Sequence, residues 1–92
     1  MLSDFDLSKQ SEQSRLTQLM TNVRLDLSAP HSINSLSVMA KMSPRTFQRR
    51  FVALTGAPIM QWLIRERVTQ ACDLLESSPL SLVQISESVG FN

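Results

Sequence analysis

Cysteine and histidine are nearly absent from this 92-residue chain, which has one of each, Cys72 and His31. A lone Cys72 excludes an intramolecular disulfide, and a single His31 beside it cannot build a Cys/His zinc cage. That usage fits a reducing compartment, and the cytoplasm is expected. Glycine is also scarce: Gly56 and Gly90 stand 34 residues apart, which excludes a Gly-rich phosphate loop. Long apolar runs are missing too. The longest is Phe51-Val52-Ala53-Leu54, far short of the roughly 20 residues of a membrane-spanning helix, and no signal-peptide pattern opens the chain. Catalytic groups are poorly supplied: Cys72 falls mid-helix beside Ala71, His31 lies in a loop after Pro30, and Asp73 with Glu76 reads as a solvated helix face. No catalytic residue, metal ligand or cofactor is expected, and the chain does not read as an enzyme. What remains, 42% hydrophobic and 18% charged, suits one small soluble domain.

The net charge of +1 conceals a pattern. Between Asp26 and Glu66 there is no acidic residue, while Lys41, Arg45, Arg49, Arg50 and Arg65 give that interval +5. Both flanks are mildly acidic. A basic centre of this kind is a plausible footprint for a phosphate backbone, although a charge cluster alone is often a solvated face.

The periodicity predicts helices and no strand. Leu16, Leu19, Met20, Val23 and Leu27 mark an amphipathic helix from about Ser11 to Leu27, stopped by Ala29-Pro30. A short helix follows the candidate N-cap Ser32, with Ile33, Leu36 and Ala40 on one side. Ser43-Pro44 is the clearest start signal, because Ser caps free N–H groups and Pro at the first helical position loses nothing by lacking one. That third helix runs to about Leu54 and is closed by Thr55-Gly56. Pro58 opens a fourth helix reaching about Ser77, with an apolar stripe of Met60, Leu63, Ile64, Val68, Ala71, Leu74 and Leu75 expected inward. Arg67 lies within the stripe and should bury its stem and find a partner for its guanidinium. A last short helix starts at Ser81, with Leu82, Ile85 and Val89 expected inward.

An internal repeat orders these elements. A shift of 49 residues lays Pro30–Ser43 onto Pro79–Asn92, so that Pro, the capping Ser and Ser37/Ser86 coincide, and Ile33/Leu82, Leu36/Ile85, Ala40/Val89 and Met42/Phe91 match in kind. In the first copy, a short helix, the connection Lys41-Met42-Ser43 and a second helix form a helix-turn-helix, with Phe47 and Phe51 one turn apart facing the first helix. The second copy stops at Asn92, before the helix that would correspond to Pro44–Leu54.

The run Ser43-Pro44-Arg45-Thr46-Phe47-Gln48-Arg49-Arg50-Phe51, with Thr55-Gly56-Ala57-Pro58, Trp62-Leu63, Arg67-Val68, Ala71, Leu74-Leu75, Ile85 and Val89-Gly90-Phe91, resembles the AraC/XylS family of bacterial transcription regulators. The likeness covers about residues 15 to 92. It implies an all-α, homeodomain-like architecture: two helix-turn-helix units joined by a linker helix, putting two recognition helices into successive major-groove turns of double-stranded DNA. On that plan residues 1–11 are an N-terminal tail, 12–57 the first helix-turn-helix subdomain, 58–78 the linker helix, and 79–92 the first helix of an incomplete second subdomain. The C-terminal fifth of the domain is then absent, and weakened operator binding is expected. Family members are usually fused to a separate sensing or dimerising domain. Ser37 and Ser86 stand where the family favours Ala, and Lys41 stands in the turn where Gly is common, which implies either backbone strain there or a differently shaped turn.

With Phe47 set inward, Phe51 and Leu54 fall within about 40° of it, Arg45, Arg49 and Val52 fall on the opposite side, and Gln48 on a shoulder. Arg45, Gln48 and Arg49 are therefore the expected base-contacting residues, since Arg pairs bidentately with guanine and Gln with adenine. Lys41, Ser43 and Thr46 are expected at phosphates, helped by the free N–H groups and dipole of the helix N-terminus. Arg50 projects near the Phe47 side and is assigned either to a phosphate or to an internal acid. Phe47, Phe51, Trp62 and Arg67 are expected to be structural, Arg67 holding the linker helix against the first helix-turn-helix. A rival expectation is a helical interaction module, or a remnant, self-associating through uncovered Ile85, Val89 and Phe91.

Overall fold

The computed structural model describes residues 4–91, with side chains described from Ser11 onward. Five helices follow one another: α1 (Asp4–Leu25), α2 (Ile33–Met39), α3 (Pro44–Thr55), α4 (Ile59–Ser77) and α5 (Leu82–Ser88), with no strand among the described residues. Leu16, Leu19, Val23 and Leu27 from α1 and its exit, Leu36 and Ala40 from α2, Phe47 and Phe51 from α3, and Ile59, Trp62 and Leu63 from α4 form the core. Ile85 and Val89 are buried apart from this cluster, where α5 packs on α4.

The caps expected from sequence are formed. Ser32 Oγ accepts from Ser35 N–H while Ser32 N–H donates to Ser35 Oγ, a reciprocal box that opens α2. Ser81 and Gln84 make the same box at α5. At α3, Ser43 Oγ accepts from Thr46 N–H, Pro44 takes the first position, and Gly56 ends the helix at φ 81°.

The repeat is visible in the backbone. The turn residues Lys41 (φ 57°) and Gly90 (φ 94°), equivalent under the 49-residue shift, are both left-handed. Met42 N–H donates to Ser37 O at 3.0 Å, and Phe91 N–H donates to Ser86 O at 2.8 Å. The two turns thus share one conformation and one hydrogen bond, even though one is built on Lys and the other on Gly.

Four expectations are corrected. The first helix, expected from about Ser11, already runs from Asp4, because residues 1–27 contain no Pro or Gly to stop a helix once α1 has nucleated on its packed half. The stripe expected to face inward from α4 is rotated: Ile59, Trp62 and Leu63 are buried, whereas Met60, Ile64, Val68 and Leu75 are exposed. Those four lie about 60–140° round the helix from Leu63. Leu82 and Leu54, also expected inward, are 71% and 40% exposed. Ile85 and Val89 face inward as the helix reading expects, 2% and 0% exposed where α5 packs on α4, so it is the rival expectation that they lack cover that is corrected.

Candidate nucleic-acid interface

Recognition by a helix requires that one face be held rigidly while the other stays free. On α3 the held face is aromatic. Phe47 and Phe51 are fully buried with ring centroids 5.9 Å apart, and Phe51 meets Trp62 edge-on at 5.6 Å. Trp62 in turn carries the Arg24 guanidinium over its ring at 5.4 Å, and Arg24 Nη2 lies 3.2 Å from Glu66 Oε1. A chain of stacked groups therefore runs from α3 through α4 to α1.

The opposite face of α3 presents Arg45, Gln48, Arg49 and Val52, all exposed. Among the described residues neither Arg45 nor Arg49 forms an ion pair, so both guanidinium forks are available to an external acceptor. Lys41 and Ser43 are exposed at the entrance to α3 and Thr46 is half-buried beside them. Ser43 Oγ spends an acceptor site on the Thr46 N–H, and its hydroxyl proton remains free to donate.

Two further cations, Arg50 and Arg67, are held by the protein. Arg50 Nε lies 3.1 Å from Glu12 Oε2 of α1, so of the two fates assigned to Arg50 the structure displays the internal acid. Arg67 donates from Nε to Leu27 O and from Nη2 to Ala29 O, both at 3.1 Å, so its partners are carbonyls of the loop that follows α1. Gly90 closes on the same place: a Cβ built on it would stand 2.5 Å from Leu27 O and 2.8 Å from Arg67 Nε. The exit of α1, the middle of α4 and the turn after α5 thus meet at one guanidinium.

Sequence reasoning missed Glu12 and Arg15. Arg15 donates from Nη1 to Lys41 O at 3.2 Å, tying α1 to the left-handed turn that aims α3. Glu12 and Arg15 flank the apolar stripe at Leu16, which is the one signal that marked them for cross-helix contact. Cys72 is exposed, and His31 Nε2 hydrogen-bonds Asp26 O at 2.8 Å. Among the described residues no three acidic, Cys or His side chains are grouped as a metal site would need. No helix among them is long and apolar enough to cross a membrane.

A family model described as a helix-turn-helix domain matches residues 36–92, which spans both turns and the linker between them. The transcriptional activator RhaR of Salmonella typhimurium and that of Salmonella arizonae are each 33% identical over 86 residues, 94% of this chain. The crystallised DNA-binding domain of AdpA, solved in complex with a target DNA, superposes with a TM-score of 0.82 at 38% identity, covering 85% of this chain and 70% of that one. The chain belongs to the AraC/XylS family. The RhaR proteins are much longer, and this AraC/XylS chain spans about 30% of their length. The matched region of this AraC/XylS chain holds the two left-handed turns, the capped α3 and the intervening α4.

Proposed function

We propose that this chain is the DNA-reading part of a transcription regulator, with α3 entering the major groove of a duplex. Arg45, Gln48 and Arg49 are the base-reading side chains, and Lys41, Ser43 and Thr46 hold phosphates at the mouth of the groove. The observation that carries this reading is the division of α3: two buried phenylalanines fix one face while the other offers a glutamine and two arginines that form no ion pair among the described residues. Arg forks and Gln amides match the acceptor and donor edges of guanine and adenine. The AdpA domain, whose structure holds a target DNA, supports a duplex as the partner. That role places the chain in the cytoplasm with the chromosome, without catalysis of its own. Association with a sensing or dimerising domain belongs to the same reading, since the RhaR relatives extend well beyond the matched region. The rival role, self-association through Ile85, Val89 and Phe91, loses two of its three residues to burial.

Selection of a preferred duplex from a random pool, followed by anisotropy titration, tests the reading. Arg49→Ala should weaken binding to the selected site by about 1–3 kcal/mol while reducing binding to random duplex much less. Equal losses on both would assign Arg49 to the backbone, and failure to select any site would remove sequence-specific recognition.

A further inference from the structure

We propose that Glu12 withholds Arg50 from the DNA backbone, so that the arginines α3 offers to a duplex are the two that can read bases. The inference rests on the DNA-reading role proposed above.

Of the five cations in the basic segment between Asp26 and Glu66, Arg50 is the one that forms an ion pair among the described residues. No acid within that segment could supply the partner, and the carboxylate comes from α1, a different element. Its Oε2 stands 3.1 Å from Arg50 Nε, with the two side chains 23% and 45% exposed. Leu16, one turn beyond Glu12, is buried in the core and fixes α1 at this crossing, where Glu12, Leu16 and Arg50 line one cleft with Ala53 and Leu54. Arg50 lies about 100° and 140° round the helix from Arg49 and Arg45. From there it cannot share their view of base edges, and a phosphate is the one part of a duplex within its reach.

Phosphate contacts strengthen binding to every sequence alike and carry no base information. A surface ion pair of this type is weak and would not by itself hold a guanidinium against a phosphate. The Glu12 carboxylate acts twice, however, because it occupies the fork and also repels a phosphate approaching it. Glu12 is a positioning residue in this sense: it lowers the number of phosphates the domain neutralises, and leaves a larger share of binding to Arg45, Gln48 and Arg49. Sequence-blind attachment to bulk chromosome is thereby reduced.

The salt dependence of binding reads that number directly, since each phosphate neutralised adds about −0.9 to the slope of log Kobs against log salt. The full chain is titrated against a labelled random duplex between about 50 and about 200 mM salt, as wild type, Glu12→Gln, Arg50→Gln and the double variant. Glu12→Gln should steepen the slope by about 0.9, equivalent to an additional loss of about 3.5-fold across that range. Arg50→Gln should match the wild-type slope, and the double variant should return to it. A folded Glu12→Gln, with a wild-type circular dichroism melt, that leaves the slope unchanged overturns the proposal. So does an Arg50→Gln slope about 0.9 shallower than wild type, which would show Arg50 on a phosphate with Glu12 in place. That arm decides the matter even if Glu12→Gln does not fold. Wild-type protein that binds no duplex at low salt overturns the DNA-reading role itself, whereas binding with an unchanged Glu12→Gln slope overturns this inference alone.

Discussion

At Gly90 the backbone is left-handed, φ 94°, and the space where a side chain would go is filled by Leu27 O and the Arg67 guanidinium. Gly56 is also left-handed, φ 81°, but nothing lies within 4 Å of a Cβ placed there. The two glycines therefore separate conformational cost from steric cost. Gly56→Ala should destabilise by about 1–2 kcal/mol, the cost of a left-handed L-residue. Gly90→Ala should cost clearly more, about 3 kcal/mol, because the backbone strain is joined by loss of the Arg67 hydrogen bonds to Leu27 and Ala29. Urea denaturation of both variants checks the order, and equal losses would mean that the Arg67 junction yields without cost. Lys41 holds the Gly90-equivalent position at φ 57° with a full side chain. The departure from Gly that the sequence exposed is thus accommodated as a left-handed lysine whose carbonyl accepts from Arg15. Neither Arg15 nor Glu12 was legible as a site residue, because flanking the stripe at Leu16 places them at the edge of a packed face without naming a partner on another element.

Helix ends were the most legible elements. Ser32, Ser43 and Ser81 all cap, since a hydroxyl placed before an apolar-periodic run can meet the first-turn N–H groups using local geometry alone. The caps differ in redundancy: α2 and α5 have reciprocal boxes, while Ser43 makes a single capping bond. Ser43→Ala should therefore lower stability by about 1 kcal/mol, accompanied by faster hydrogen exchange at the Thr46 amide. Unchanged exchange there would mean that Pro44 alone suffices to start the helix. The inward face of α4 was not legible. Apolar residues occupy more than one side of that helix, so a periodicity of 3.6 identifies a helix without choosing its buried arc. Trp62, which meets Phe51, and Arg67, which meets the α1 exit, made the choice.

Across the whole molecule, α4 joins the core at its start and α5 at its far end, and the chain extends over 53 × 25 × 19 Å. Its side bearing Ile64 and Val68 contributes little to folding. Ile64→Gln and Val68→Gln should each change stability by no more than about 0.5 kcal/mol, whereas Leu63→Ala should cost about 2–5 kcal/mol. Thermal melts compare them, and a large loss at Ile64 or Val68 would show that this face is covered in solution. The sequence by itself determined the all-helical class, the duplicated turn, the capped start of α3 and the arginine-bearing face opposite Phe47. Each follows from spacing within one segment, because caps, turns and helical period act over a few residues. Only the tertiary structure decided that Arg50 meets Glu12, that Arg67 binds two carbonyls, that it is α4 against which Ile85 and Val89 are buried, and which arc of α4 is buried. Those outcomes depend on where separate helices cross, and a long side chain takes the partner that the crossing brings within about 3 Å.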